Sequence, residues 1–271
     1  SLCGHAHAVQ ISTPTAPNGD TDTLVWRTLY ERRMKQLKTC ASSVYLEGLN
    51  RIRISSKSVP SLAAVNAQLL PLTGWQAVEV GGFLPAKEFF QALAQRKFPT
   101  VVRVRKLEEL EYTPEPDIFH DVFGHVPLHA DEAFAAFLQR FGEIAACAHT
   151  ELERERMTRL FWFTVEFGLI RENGKLKVYG SGLISSQAEC EHALGDDCLR
   201  RRFDLVDVMQ QPFRHDEMQA VLFVINSHWE LFEAVETAAR MLASGELDKP
   251  LQQSTPERVI AGLPPGNERR S

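Results

Sequence analysis

Residues 112–128 read YTPEPDIFHDVFGHVPL and form the most informative stretch of the 271-residue chain. The first part of this stretch is rich in proline and in turn-forming residues. Asp117 can then begin a helix, because an aspartate accepts hydrogen bonds from the backbone N–H groups of the first helical turn. Gly124 and Pro127 are typical of the end of a helix. The stretch therefore predicts a turn, a short helix from about Asp117 and a helix end at Gly124.

Two histidines lie on either side of this expected helix end. His120 and His125 are five residues apart, which on an ideal α-helix would separate their side chains by about 140°. A helix that ends at Gly124 would instead let His125 turn back towards His120. Two neighbouring imidazoles are suited to zinc, copper or iron. The pair therefore predicts part of a metal site, whose third ligand must come from elsewhere in the chain.

Glu166 is the best candidate for that third ligand. It lies within FWFTVEFG, residues 161–168, and a carboxylate among aromatic side chains is costly to bury without a cation. Two histidines and one carboxylate with open coordination positions are typical of non-haem Fe(II) oxygenases. The spacing alone leaves ordinary structural roles open for all three residues. It also leaves open a zinc hydrolase, although no general base is placed as in an HExxH motif.

The composition narrows the class of protein. Hydrophobic residues make up 44% of the chain and charged residues 24%, which is typical of soluble globular proteins. The net charge of −5 argues against a nucleic-acid or anionic-membrane partner, and no apolar run is long enough for a transmembrane helix. Five scattered cysteines without a CxxC pair argue against a sulfur-built zinc site and a disulfide framework. We therefore expect a cytoplasmic protein, and the first residues lack the pattern of a signal peptide.

The hydrophobic periodicity predicts a mainly α domain with a few short β-strands, in the α+β class. Helices are expected from Leu24 onwards, over Ser61–Leu70, from Pro85 to about Lys97, over Glu132–His149, over Glu151–Phe167, near Asp216–Val224 and near His228–Ser244. Strands are expected over residues 74–80 and 100–105, with a hairpin over 169–179 around Asn173-Gly174.

Three strings of residues closely resemble the pterin-dependent aromatic amino acid hydroxylases and occur in the same order as in that family. They are residues 112–128, residues 162–168 (WFTVEFG) and residues 179–186 (YGSGLISS). The resemblance extends from about Leu24 to Arg240. Within the family the chain looks most like the bacterial phenylalanine 4-hydroxylases, through WRTLY at 26–30 and LTGW at 72–75.

The resemblance implies the catalytic-domain fold of this family over residues 24–244. Residues 1–23 are rich in Thr, Pro, Asn, Gly and Asp, which predicts a disordered segment before it, and a tail over 245–271 follows it. It implies hydroxylation of L-phenylalanine to L-tyrosine with O₂, non-haem Fe(II) and tetrahydrobiopterin or a related tetrahydropterin. The expected partners are thus small molecules. Because the tail lacks heptad repeats, we expect a monomer.

The resemblance also assigns roles to individual residues. The implied iron ligands are the three residues already singled out by spacing, His120, His125 and Glu166. The residues implied to meet the amino acid are Arg105, Thr113, Pro116, Trp162, Gly182 and Ser185. Those implied to meet the pterin are Phe83, Leu84, Phe89 and Asp121. Those implied to line or support the pocket are Glu115, Phe161, Tyr179 and Ser181.

Some residues bear on which substrate is used. Trp162 resembles the phenylalanine and tyrosine hydroxylases, whereas tryptophan hydroxylases usually have Phe at this position. Pro99 agrees with the bacterial phenylalanine enzymes. Phe161 and Ser181 depart from the family, which usually has Tyr and Ala there, and His215 falls in a loop where subfamilies differ. These departures keep two alternatives open, 3-hydroxylation of the ring and hydroxylation of L-tryptophan. Outside this chemistry, a zinc hydrolase and a non-catalytic pterin- or amino-acid-binding protein are the alternatives.

Overall fold

The computed structural model describes residues 19–82 and 84–252. Phe83, expected to meet the pterin, lies outside the described residues. Within the described ranges the chain is mainly helical with short strands, so the expected fold class is confirmed. No helix in this part of the chain has the length and apolar character that a bilayer crossing requires.

Within the described ranges the chain forms eleven α-helices and six β-strands. The helices are α1 Asp20–Cys40, α2 Ser43–Arg51, α3 Leu62–Thr73, α4 Ala86–Ala94, α5 Val126–His129, α6 Glu132–Ala145, α7 Glu151–Phe161, α8 Ser181–Ser185, α9 Gln187–Leu194, α10 Leu205–Gln210 and α11 His228–Ala243. The strands are β1 Gln76–Glu79, β2 Lys97–Thr100, β3 Leu169–Glu172, β4 Lys175–Val178, β5 Leu199–Arg202 and β6 Val221–Ile225. Two π-helices cover Phe119–His125 and Trp162–Glu166, and 3₁₀ turns cover Leu107–Glu109 and Glu246–Asp248.

The strands form two small sheets. In the first, β1 and β2 pair in parallel, and α4 makes the crossover between them. The second has the order β4-β3-β6-β5, in which β3 and β4 are antiparallel and the other neighbours are parallel. The predicted hairpin is confirmed, because Asn173 and Gly174 join β3 to β4 with φ angles of 50° and 76°. Both values are positive, as a type I′ turn requires.

Three expectations about elements away from the two histidines need correction. α1 begins at Asp20, so the end of the segment expected to be disordered is helical. The strand expected over residues 100–105 is wrong, because β2 ends at Thr100. Beyond that point the backbone N–H groups of Val101 and Arg105 donate to the carboxylates of Asp121 and Asp117 instead of to a neighbouring strand.

The third correction concerns the helix expected near residues 216–224, where the structure has β6. Residues 221–225 read VLFVI, and four of the five are fully buried. A short run of β-branched and aromatic residues suits a strand with neighbours on both sides, and β6 lies between β3 and β5.

Aromatic packing fixes the first π-helix in the core. The rings of Phe119 and Phe123 stack with centroids 4.5 Å apart. Trp26 meets Phe119 edge-on at 5.4 Å, and the Tyr45 hydroxyl donates to the Phe123 carbonyl at 2.8 Å. Helices α1 and α2 therefore hold the buried side of the segment whose other side carries His120 and His125.

Candidate active site

The predicted helix end at Gly124 is wrong, and the reason explains the geometry of the two histidines. Residues Phe119–His125 form a π-helix that continues directly into α5. A π-helix closes its turns with i→i+5 hydrogen bonds, so residues five apart lie on the same face. The Nε2 atoms of His120 and His125 are 3.3 Å apart. The two histidines meet because the helix has the wider turn of a π-helix at this point, and the helix does not end between them.

Glu166 reaches the same point from the second π-helix, of which it is the last residue. Its Oε1 lies 3.0 Å from His125 Nε2, and its Oε2 lies 3.6 Å from His120 Nε2. The Glu166 side chain is 15% exposed and that of His125 is 3% exposed. Two imidazole nitrogens and a carboxylate thus converge in a largely buried position.

Helix α8 supports two members of this group. The Ser185 hydroxyl donates to the Ser181 carbonyl at 2.8 Å and lies 2.9 Å from His120 Nδ1. Because a hydroxyl has one proton, Ser185 Oγ must accept from the Nδ1–H of His120, which leaves the Nε2 lone pair directed at the centre. The Ser181 hydroxyl donates to Glu166 Oε2 at 2.7 Å. Such contacts orient metal ligands and set the histidine tautomer.

Glycines at two positions allow α8 to approach so closely. A Cβ at Gly124 would lie 3.1 Å from the carbonyl oxygen of Ser181. A Cβ at Gly180 would lie only 2.5 Å from the carbonyl oxygen of Glu166. The neighbouring atoms belong to the backbone in both cases, so a side chain would push α8 away from the π-helices.

A second carboxylate is close to the histidines. Asp121, His120 and His125 each offer one ligand atom within 4.8 Å of the others. Asp121 is buried, and its Oδ2 accepts a hydrogen bond from the Val101 N–H at 2.7 Å. That bond holds the Asp121 carboxylate against the segment after β2, whereas Glu166 lies nearer to the imidazole nitrogens.

Burial and the mutual charges of these groups shift their pKa values. Burial lowers the pKa of His120 to about 4 and raises the pKa of Asp121 to about 7. Burial alone would raise the pKa of Glu166, but the charge of His125 and its hydrogen bond lower that pKa to about 2. Near neutral pH His120 is therefore a neutral imidazole and Glu166 a carboxylate.

A buried ion pair adjoins this group. Arg105 Nε and Nη2 donate to the two carboxylate oxygens of Asp117 at 2.7 and 2.9 Å. Asp117 Oδ1 also accepts the backbone N–H of His120 at 3.0 Å, as expected of a helix cap. Asp117 therefore ties the Arg105 guanidinium to the first π-helix. Sequence reasoning predicted the cap but missed the ion pair, which joins residues across an irregular stretch without periodicity.

The loop before Asp117 is anchored by a residue that sequence reasoning also missed. Arg103 Nη2 donates to the Thr113 hydroxyl and to the Glu115 carbonyl, each at 3.1 Å. The Glu115 side chain is 70% exposed and its carboxylate lies 3.8 Å from Arg103 Nε, so the closer contact of Glu115 with Arg103 is the one through its backbone carbonyl. Pro116 is half-buried beside it.

Aromatic rings form a wall behind Glu166. Trp162 stacks on Phe213 with centroids 4.4 Å apart and an interplanar angle of 15°. Phe167 and His215 also contact the Trp162 ring, each with centroids 4.7 Å away. Gly182 packs against Phe167, where a Cβ would lie 2.9 Å from Cζ. The structure thus brings His215 to Trp162. It also adds Phe213, which no periodic pattern in the sequence indicates.

Two of the residues expected to meet the pterin, Leu84 and Phe89, lie just before α4 and within it. Phe89 on α4 is half-buried and meets Phe161 edge-on, with centroids 5.4 Å apart. Leu84 is half-buried just before α4. Tyr179 is fully buried and packs against Gly168, so its contacts belong to the core.

The comparisons with known proteins agree with this geometry. Residues 7–252 match the family model described as biopterin-dependent aromatic amino acid hydroxylase. The chain belongs to this family. The enzyme is thus a pterin-dependent aromatic amino acid hydroxylase.

Two relatives and one solved structure show how similar the chain is to individual members of the family. The hydroxylase is 43% identical over 204 residues to the phenylalanine-4-hydroxylase of Caulobacter vibrioides, covering 75% of this chain and 69% of the relative. The tyrosine 3-monooxygenase of Drosophila melanogaster is 33% identical and is covered over 38% of its length. The solved phenylalanine hydroxylase of Chromobacterium violaceum, with bound iron(III) and 7,8-dihydrobiopterin, superposes with a TM-score of 0.83. That pair is 34% identical and aligns over 94% of this chain and 95% of the other.

Proposed function

We propose that this chain is a phenylalanine 4-monooxygenase that converts L-phenylalanine to L-tyrosine with O₂, Fe(II) and a tetrahydropterin. The observation that carries the proposal is the approach of Glu166 to within 3.0 Å of His125 Nε2 and 3.6 Å of His120 Nε2. The bacterial phenylalanine-4-hydroxylases among its relatives, 36–43% identical, support phenylalanine as the substrate.

The residues present fit an iron ion. His120, His125 and Glu166 supply two nitrogens and one carboxylate, and this donor set binds Fe(II) on one face while leaving other positions open. Bound iron, together with the tetrahydropterin, supplies the redox chemistry that activates O₂. Ser185 holds the His120 ring with its Nε2 towards the centre, and Ser181 holds Glu166. Asp121 remains beside the ligands, held by Val101.

Arg105 is placed to hold the amino acid carboxylate. Asp117 engages Nε and Nη2 of its guanidinium, so Nη1 is the nitrogen left to donate to a substrate carboxylate. Arginine binds carboxylates with several parallel N–H donors, so the ion pair orients the substrate relative to His120. The remaining residues proposed to meet the amino acid are Thr113, Pro116, Trp162, Gly182 and Ser185.

Phe89 offers an aromatic face for the pterin, because flat rings stack well on aromatic side chains. Phe161 packs against Phe89 at a position where the family usually has a tyrosine, so the tyrosine hydroxyl is missing beside Phe89. Leu84 adds apolar surface, and Asp121 supplies a carboxylate near the ligands. We also propose that the enzyme acts as a cytoplasmic monomer on small molecules alone.

The identity of the product is the direct test of the proposed function. In an aerobic assay with Fe(II) and tetrahydropterin, L-phenylalanine should give L-tyrosine, the product hydroxylated at C4. L-Tryptophan and L-tyrosine should be turned over far more slowly. NMR of the product ring distinguishes C4 from C3. Formation of 3-hydroxyphenylalanine, or faster turnover of tryptophan, would contradict the proposal and favour the alternatives raised by Phe161, Ser181 and His215. With the family shown, the zinc-hydrolase and non-catalytic alternatives no longer apply.

Replacing Ser181 by alanine should lower iron affinity or kcat by about tenfold, since contacts that orient metal ligands are worth roughly 10–100-fold. The variant removes the 2.7 Å bond to Glu166 Oε2 and leaves the ligand set intact. Titration with Fe(II) and steady-state kinetics measure the two quantities. Ser244→Ala, at the end of α11, is the matched control. Equal iron affinity and kcat in wild type and Ser181→Ala would show that Glu166 needs no such support.

A further inference from the structure

Two cysteines that are 150 residues apart in the chain meet in the fold. Cys40 is the last residue of α1 and Cys190 lies in α9, and their Sγ atoms are 3.7 Å apart. Cys40 is half-buried and Cys190 is fully buried. Neither residue belongs to the site described above. Both are free thiols in the structure.

The backbone on both sides of this contact is firmly held. Directly after Cys40, Ala41 forms a β-bridge with Val178 at the end of β4. The next residue, Ser42, donates its backbone N–H to the Val178 carbonyl at 2.9 Å. Cys190 lies inside α9, where its backbone N–H donates to the Ser186 carbonyl at 3.2 Å. A disulfide has an S–S distance of about 2.05 Å, so the two sulfur atoms need to close by about 1.7 Å.

Two cations lie near Cys40. The guanidinium of Arg33 donates to the carbonyls of Leu183 and Ile184 at 3.0 and 2.8 Å, which keeps this charge in a fixed position. The ammonium of Lys177 donates to the carbonyl of Thr39, the residue before Cys40.

These surroundings make the two thiols unequal. The hydrogen bond from Cys190 and the charges of Arg33 and Lys177 outweigh burial and lower the pKa of Cys40 to about 7. The pKa of Cys190 is raised, because it is the hydrogen-bonding partner of Cys40 and is buried. A half-buried thiol next to cations has the features of a reactive cysteine. Of the two residues, Cys40 is therefore the one suited to attack and Cys190 the one suited to resolve.

We propose that Cys40 and Cys190 form a redox-active dithiol, which a hydroperoxide oxidises to a disulfide within the folded protein. The Cys40 thiolate attacks one oxygen of hydrogen peroxide, an S–O bond forms, the O–O bond breaks and hydroxide leaves as water after protonation. Cys190 then loses its proton and attacks the Cys40 sulfur. The S–S bond forms as the S–O bond breaks, and a second water leaves. The two sulfurs together lose two electrons, which the peroxide gains.

Peptide mapping of the full chain tests the proposal. The protein is treated with hydrogen peroxide, blocked with iodoacetamide and digested without reductant by a protease that cleaves after Asp and Glu. Cys198 is the cysteine nearest to Cys190 in the sequence. Cleavage after Glu191 and Asp196 separates the two, so a bond from Cys40 to Cys190 can be distinguished from a bond to Cys198. The expected product is a peptide pair joined through Cys40 and Cys190, two hydrogen atoms lighter than the separate peptides and cleaved by dithiothreitol.

Two variants make the test specific. Cys198→Ser should still form the bond, because the Cys198 thiol faces the backbone carbonyls of Leu199 and Gln219. Cys190→Ser should form no bond, and its Cys40 should accumulate as a sulfenic acid that dimedone traps. Circular dichroism checks that each variant is folded. The proposal is overturned if iodoacetamide still alkylates Cys40 in the peroxide-treated wild type. It is also overturned if Cys40 forms its disulfide with a cysteine other than Cys190.

Discussion

Glu166→Ala should abolish tyrosine formation while the protein stays folded. The substitution removes the only carboxylate that lies within 3.6 Å of both imidazole nitrogens in the described part of the chain. Because a catalytic metal contributes several kcal/mol to the stabilisation of a transition state, and each 1.36 kcal/mol is tenfold in rate, kcat should fall by about 10³-fold or more. Steady-state kinetics gives kcat, and elemental analysis gives the iron content after dialysis.

Asp121→Ala is the matched comparison, because Asp121 is the other carboxylate near the two histidines. This variant should retain stoichiometric iron, and its defect should lie in the KM for the pterin or in the coupling of pterin oxidation to hydroxylation. The assignment of Glu166 would be wrong if Asp121→Ala lost its iron and Glu166→Ala kept it. Circular dichroism separates loss of the ion from loss of the fold.

Asp117→Asn should destabilise the protein by about 3–5 kcal/mol, the cost of leaving one member of a buried ion pair without its partner. Asp117 is fully buried and the Arg105 side chain is 7% exposed, so water cannot replace the lost carboxylate. Asparagine keeps one oxygen that can cap the His120 N–H. It removes the charge and replaces the oxygen that accepts from Arg105 Nε by an NH₂ donor. The free energy of unfolding in urea measures the change.

The control for this prediction is Asp216→Asn, which breaks an ion pair with Arg214 whose side chains are 68% and 63% exposed. Such surface pairs contribute about 0–1 kcal/mol, so the two aspartates should differ clearly. Asp117→Asn should also raise the KM for L-phenylalanine, since Arg105 loses the partner that orients it. Equal stability of the two variants would show that Arg105 does not depend on Asp117.

Most helices and the metal-binding residues could be predicted from the sequence, because these signals are local. Amphipathic periodicity identified α6, α7 and α11, and the Asn173-Gly174 pair identified the β3–β4 hairpin. The expected strand over residues 100–105 failed for a tertiary reason, since distant carboxylates take the N–H groups that a neighbouring strand would otherwise pair with. The helix expected near residues 216–224 failed because a short apolar run does not reveal whether it has strand neighbours.

The sequence by itself determined that two histidines and a glutamate could form a nitrogen–oxygen metal site in a mainly helical enzyme of the pterin-dependent hydroxylase family. The structure decided how they meet, because a π-helix in place of the expected helix end puts His120 and His125 on one face. It also decided that Ser181 supports Glu166 and that Asp117 pairs with Arg105. The contact of Cys40 with Cys190 follows from the packing of α1 against the region of α8 and α9. A local pattern reports the conformation of neighbouring residues, whereas these contacts depend on how distant segments pack, which no periodicity records.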